Sequence, residues 1–151
     1  MIELKVTGHE TALVQKTMGL IRRHKAQSRC IIGSMDQETL KAVKRIDPKM
    51  ETVYITSLYY AERYNDPEAD GYSVKNTFLT SGMAKKMRED DKSVYAWTCN
   101  TERSIRRAIR CEPDGIITDN PYLVQYYLQY GDENLLLEFW RDRLFPLGAV
   151  G

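Results

Sequence analysis

The sequence predicts an α/β protein of parallel (β/α) units, TIM-barrel-like but incomplete, with about six of the eight units. Three observations carry that prediction. Strand and helix signals alternate almost throughout, six strand-like runs each followed by a helix or loop, and such alternation with little room for hairpins means parallel units. The runs IELKV and VYAWTCN carry polar or bulky residues at alternate positions, whereas the strands of an open doubly wound sheet, covered on both faces, read as near-continuous apolar runs. No GxGxxG or Walker-type loop follows any strand, which counts against a nucleotide-binding open sheet. In a barrel the second sheet face looks onto a packed interior whose C-terminal rim carries the active site, but closure takes eight strands and typically ~250 residues. The 151 residues of this chain hold six.

The elements follow in order. IELKVTG (2–8) sets Ile2, Leu4 and Val6 against Glu3, Lys5 and Thr7, the two-residue period of a strand. ETALVQKTMGLIRRHKAQ (10–27) puts Leu13, Val14, Thr17, Met18 and Ile21 on one helical face. CIIGS (30–34) is a short apolar strand, and Asp36 is placed to cap the helix QETLKAVKRI (37–46), with Pro48 just beyond its end. TVYITS (52–57) is β-branched and aromatic, hence a strand. Residues 59–71 are polar and punctuated by Pro67 and Gly71, a loop with room for one helical turn. GYSV (71–74) is a strand and 77–90 a helix; SVYAWTCN (93–100) is a strand and 101–111 a helix; GIIT (115–118) is the last strand. Asn120 and Pro121 supply an N-cap and a first-position proline for the helix that follows, whose Tyr122, Tyr126, Tyr127 and Tyr130 are expected to pack it on the barrel exterior. A last amphipathic helix is expected over 133–145, capped by Asp132.

Composition excludes several classes. The 22 basic and 21 acidic residues leave a net charge of +1, without the basic excess of a phosphate-backbone binder, so no nucleic-acid partner is expected. The run RSIRRAIR (103–110) has Ile105, Ala108 and Ile109 at helical spacing and reads as one solvated helix face. There is no apolar run of ~18 residues and no signal-peptide pattern, so a soluble chain is expected, of unassigned location. Cys30, Cys99 and Cys111 match no zinc or CxxC spacing; Cys30 and Cys99 lie in or beside apolar runs and read as buried free thiols.

VYAWTCN (94–100) and PDGIITDNP (113–121) resemble the last two strands of glycerophosphodiester phosphodiesterases, where a WTxN strand end precedes a DGIITDxP strand end. IELK resembles that family's ExK strand, the third of its barrel; CIIGSMD resembles the fourth, and ADGYSVKNTFLT the sixth with the following helix start. The resemblance covers roughly residues 1–128, in order, and is closest to the type attached to a membrane-spanning region in bacteria. It implies a partial phosphodiesterase barrel over 1–130 and a C-terminal helical extension over 131–151. It also implies a metal-dependent phosphoric diester hydrolase of lipid and glycerol metabolism, releasing glycerol 3-phosphate and an alcohol from a small glycerophosphodiester. Position by position, Glu3 matches a ligand of a divalent cation (calcium or magnesium), Lys5 the catalytic lysine beside the phosphodiester, and Trp97 a substrate-contacting position. A hard cation favours carboxylate oxygen, and a neighbouring ammonium stabilises the charge that builds on the phosphoryl oxygens.

The departures are as informative. The family's two catalytic histidines, in HRG and HD motifs, and an ExD pair of metal carboxylates lie on its first two strands; neither HRG nor HD is present, and the ExD spacings at 68–70, 89–91 and 112–114 do not fall on a strand. Met35 replaces the usual aromatic after the fourth strand. His9 and His24, the chain's two histidines, read as surface residues. Asp119 invites a metal reading but lies in a helix-start signal, and Ser34 and Asp36 sit at a strand end within reach of a cleft. General acid–base chemistry needs a positioned proton carrier, so the chain alone is expected to be inactive and to hold a cation weakly. A non-catalytic binding or assembly module, or a half-enzyme completed by another chain, are the alternatives. Two open strand edges predict homo-oligomers or aggregation, unless the 133–145 helix covers part of the gap.

Overall fold

In the computed structural model, which describes residues 1–8, 12–57 and 69–131, six strands form one parallel sheet in the order β1-β2-β3-β4-β5-β6. They are β1 Ile2–Glu3, β2 Ile32–Ser34, β3 Thr52–Thr56, β4 Gly71–Lys75, β5 Ser93–Trp97 and β6 Gly115–Ile116. The helices are α1 Leu13–Arg23, α2 Gln37–Ile46, α3 Ser81–Glu89, α4 Glu102–Ile109 and α5, residues 121–131. Each strand pairs with its successor in sequence. A doubly wound sheet would reverse its strand order at a switch point; this one runs in a single direction, as a barrel does. The 133–145 helix, His9 and nearly all of the 59–71 loop lie outside the described residues.

The register divides the sheet into two faces. Ile32 pairs with Thr52, Tyr54 with Tyr72, Val74 with Ala96 and Ala96 with Ile116. All of these side chains but Thr52, whose hydroxyl bonds the Asp70 carboxylate at 3.0 Å, join Leu40, Val43, Leu79, Ile105 and Val124 on the helix side in two buried clusters that share Tyr54. The opposite parity, Glu3, Gly33, Val53, Ile55, Ser73, Tyr95 and Trp97, faces the barrel interior. The Tyr95 hydroxyl donates to Glu51 Oε1 at 3.1 Å, which anchors it toward the N-terminal end of the strands, and burial of that ring raises its pKa above the ordinary phenol value.

Local chemistry sets the boundaries. Asp36 accepts from the Thr39 amide at 2.8 Å, and α2 runs over the predicted residues. Asn120 Oδ1 accepts from the Leu123 amide at 3.1 Å, the expected cap of α5. Helix α3 begins at Ser81, four residues later than the periodicity implies. The Phe78 and Leu79 amides turn back onto the Lys75 carbonyl, and Thr80, extended, caps Met83 with its hydroxyl. On α5 the tyrosines divide: Tyr127 packs on the core under Arg106, whose guanidinium lies 4.9 Å from its ring centre, while Tyr122, Tyr126 and Tyr130 are exposed. Arg106 and Arg107 are likewise more than a solvated face, donating to the carbonyls of Gly131 and Thr77 at 2.9 and 2.8 Å. Cys99 and Cys111 are buried free thiols; Cys30 is partly exposed, because it precedes β2 rather than lying within it.

Candidate active site

At the C-terminal ends of the strands the curled sheet encloses a cleft of about 550 Å³. Its walls come from both edges of the sheet: Glu3 at the end of β1 and Lys5 just beyond it, and Ile117 and Thr118 from just beyond β6. Trp97 and Thr98 stand between them, with Ile55 and Ser73 lower in the strands. That the first and last strands line one cavity is the mark of a curled sheet rather than a flat one.

The alternation of β1 determines what enters the cleft. Leu4 is buried among the helices, its amide bonded to the Gly33 carbonyl at 2.8 Å and its carbonyl accepting from the Ser34 hydroxyl at 2.8 Å. Ser34 therefore faces the helices and ties β1 to β2; it does not reach the cleft. With Leu4 pinned outward, Glu3 and Lys5 project inward. Their charged atoms lie 3.9 Å apart, and the Lys5 side chain is 80% exposed. An ion pair so open to water is worth only about 0–1 kcal/mol, so the ammonium is held near the carboxylate yet remains available to another anion. Gly33 keeps the floor open, since a Cβ there would meet Ile55 Cδ1 and Met1 Sδ, both at 3.0 Å.

Trp97 is fixed by its indole N–H, which donates to the Ser73 carbonyl at 3.0 Å. This bond crosses from β5 to β4 and lays the ring along the cleft wall. Above it, Asn100 clamps two loops: its Oδ1 accepts from the Thr118 hydroxyl at 3.1 Å and the Asp119 amide at 2.9 Å, and its Nδ2 donates to the Asp119 carboxylate. The Asp119 side chain is thus spent on Asn100 rather than on capping; Asn120 is the cap. Sequence reasoning missed Asn100, whose partners lie 18 and 19 residues away, and Ser73, whose inward parity was legible in GYSV. Met35 also lines the cleft and is 53% exposed.

The donor set does not amount to a metal centre by itself. No group of three or more His, Cys, Asp or Glu side chains gathers among the described residues, and one carboxylate falls short of the six or more oxygens that calcium or magnesium takes. His24 is exposed at the end of α1, where the chain turns back to the start of β2, the pole opposite the cleft.

Comparison with known proteins gives this geometry its relatives. The uncharacterized protein YqiK of Bacillus subtilis (strain 168) is 31% identical over 127 residues, 80% of this chain and 52% of YqiK, so the chain spans about half the length of that curated relative. An Oleispira antarctica phosphodiesterase, solved in complex with the product sn-glycerol 3-phosphate, has a TM-score of 0.74 at 20% identity, covering 84% of this chain and 53% of its own. A glycerophosphodiester phosphodiesterase of Parabacteroides distasonis has a TM-score of 0.73 at 19% identity, covering 86% of this chain and 56% of its own. At those identities the likeness is one of fold. The model of the glycerophosphoryl diester phosphodiesterase family matches residues 2–123, which includes every cleft residue named above from Glu3 to Asp119, and the chain belongs to that family.

Proposed function

We propose that this chain forms the product-binding half of a glycerophosphodiester phosphodiesterase site and does not turn over substrate alone. The observation that supports the reading is the single cleft in which Glu3, Lys5 and Trp97, from opposite regions of the sheet, come together at the C-terminal rim. Lys5, exposed and loosely paired, meets the phosphoryl oxygens, whose charge a nearby ammonium stabilises. The Trp97 face packs against the glycerol carbons. Glu3 contributes one carboxylate to a divalent-cation site, calcium or magnesium, completed by ligands from outside the described residues; the isolated chain therefore holds a cation weakly. The family's HRG and HD motifs, which carry its proton-transferring histidines, do not occur in the 151 residues.

Among the described residues β1 pairs only with β2 and β6 only with β5, which favours a second reading alongside the first: further βα units, on this or another polypeptide, complete the barrel and bring the histidines. In the isolated chain the same edges would drive self-association. The resemblance to membrane-attached members further suggests a parent protein acting near a membrane; no helix among the described residues is long and apolar enough to cross one.

A phosphodiesterase assay on the purified chain with calcium tests the reading. The expected result is no release of glycerol 3-phosphate above background, with weak binding of glycerol 3-phosphate that Lys5→Met abolishes. Robust metal-dependent release would refute the division of labour, and binding indifferent to Lys5 would refute the site.

A further inference from the structure

The cleft wall contains a polar group that none of the described residues satisfies. Ser73 lies in the middle of β4, paired in register with Ile55 on β3 and Tyr95 on β5, and its side chain faces the interior. The residue is fully buried, and its hydroxyl has no hydrogen-bond partner among the described residues. Buried hydroxyls are nearly always satisfied, and an exception calls for an explanation. A well-packed alternative is chemically simple, since alanine at this position would remove the unsatisfied group without loss of a bond.

Two neighbours indicate what the hydroxyl serves. The Ser73 carbonyl accepts the Trp97 indole N–H at 3.0 Å, so the hydroxyl belongs to the same wall as the tryptophan. The charged pair Glu3 and Lys5 stands at the C-terminal end of β1, three strands away in the sheet order. A phosphate monoester of a polyol has one anionic end and one neutral hydroxylated end, and the cleft is divided in the same sense. We infer that the Ser73 hydroxyl hydrogen-bonds a hydroxyl of the glycerol moiety and makes the cleft prefer a polyol phosphate to phosphate alone. This inference rests on the cleft being the glycerol 3-phosphate site.

The same hydroxyl both donates and accepts, which suits an alcohol partner that also does both. A cleft built to bond a substrate hydroxyl discriminates against a ligand lacking it, because the buried group is then left unpaired.

The experiment is a pair of titrations of the full chain by amide NMR, with sn-glycerol 3-phosphate and with inorganic phosphate, on wild type, Ser73→Ala, Ser73→Cys and Lys5→Met. Ser73→Ala should weaken glycerol 3-phosphate about tenfold, the loss expected for one hydrogen bond, and leave phosphate affinity within about twofold. Its melting temperature should equal or exceed that of wild type, because no native bond is lost. Ser73→Cys, which is slightly larger and donates only weakly, should bind like the alanine variant. Lys5→Met should weaken both ligands. Unchanged glycerol 3-phosphate binding in Ser73→Ala, with Lys5→Met still defective, overturns the Ser73 inference and spares the site. Equal weakening of both ligands also overturns it, by assigning the hydroxyl to phosphate. Unfolding or a clearly lower melting temperature in both Ser73 variants overturns it in favour of a structural role. Failure of the wild-type chain to bind glycerol 3-phosphate overturns the site and this inference together.

Discussion

Asn100 offers the sharpest test of how the rim of the cleft is held. Its side chain joins the turn after β5 to the turn after β6 through three hydrogen bonds, to the Thr118 hydroxyl, the Asp119 amide and the Asp119 carboxylate. Thr118 in turn accepts from the Asn120 amide at 3.0 Å, and Asn120 caps α5. Asn100→Ala removes all three bonds at once. A net hydrogen bond contributes about 0.5–1.5 kcal/mol, and exposed ones lie at the low end because water replaces them. Three exposed bonds therefore sum to roughly 2 kcal/mol, counting the carboxylate bond slightly above the others. For a domain of this length about 1 kcal/mol shifts the melting temperature by roughly 2–4 °C, so a fall of about 4–8 °C is expected in a thermal melt followed by circular dichroism.

Asn100→Asp separates geometry from charge. It keeps the acceptor for Thr118 and Asp119 but turns the donor that faces the Asp119 carboxylate into a second carboxylate. The two would repel at hydrogen-bond distance, so at neutral pH and low salt this variant should melt below Asn100→Ala. The difference should shrink as salt screens the pair. A melting temperature for Asn100→Ala within about 1 °C of wild type would refute the additive estimate. Equal stability of Asn100→Asp and wild type would refute the role of the donor.

Two further outcomes follow from burial and topology. Burial pushes the Cys99 thiol from 9.0 up to about 11, so a thiol reagent at mildly alkaline pH should modify Cys30 in the native chain and reach Cys99 and Cys111 only after unfolding. Because the folded value lies above the ordinary one, Cys99 leaves stability untouched below pH 9.0 and lowers it as pH rises from there toward about 11; rapid native labelling of Cys99 would contradict its burial. Light scattering should find the isolated chain self-associated through β1 and β6, since unpaired parallel edges template pairing; a stable monomer at high concentration would contradict that.

The fold was largely legible because βα units are local. Leu40, Val43 and Ile46 share one face of a helix whose cap, Asp36, is adjacent in sequence, and α2 starts and stops where those signals lie. Where local signals competed, the reading drifted: Thr77–Leu79 carry helical spacing, but turn bonds to Lys75 and the Thr80 cap delay α3. The four tyrosines of α5 share a spacing that predicts one packed face, but Tyr122, Tyr126 and Tyr130 recur every four residues along an exposed edge and only Tyr127 meets the core.

The site was half legible for a related reason. That Glu3 and Lys5 share one side follows from the parity of one strand, but that this side is the inner one follows from Leu4, which is buried and tied to Gly33 and Ser34. Ser34 has the same kind of polar, strand-end position, and its outward direction depends on which parity β2 presents to β1, which is a fact of register. Asn100 is more distant still, since its partners are set by the alignment of β5 with β6. A rim built from the ends of parallel strands therefore combines residues readable singly with residues readable only in pairs. Each unit brings its own rim positions, and the core beneath does not depend on them: Leu4, Val53 and Val94 pack whether or not a histidine stands elsewhere on the rim. Six units can thus shape a rim cleft from Glu3, Lys5 and Trp97 without any contribution from further units to the packing beneath it.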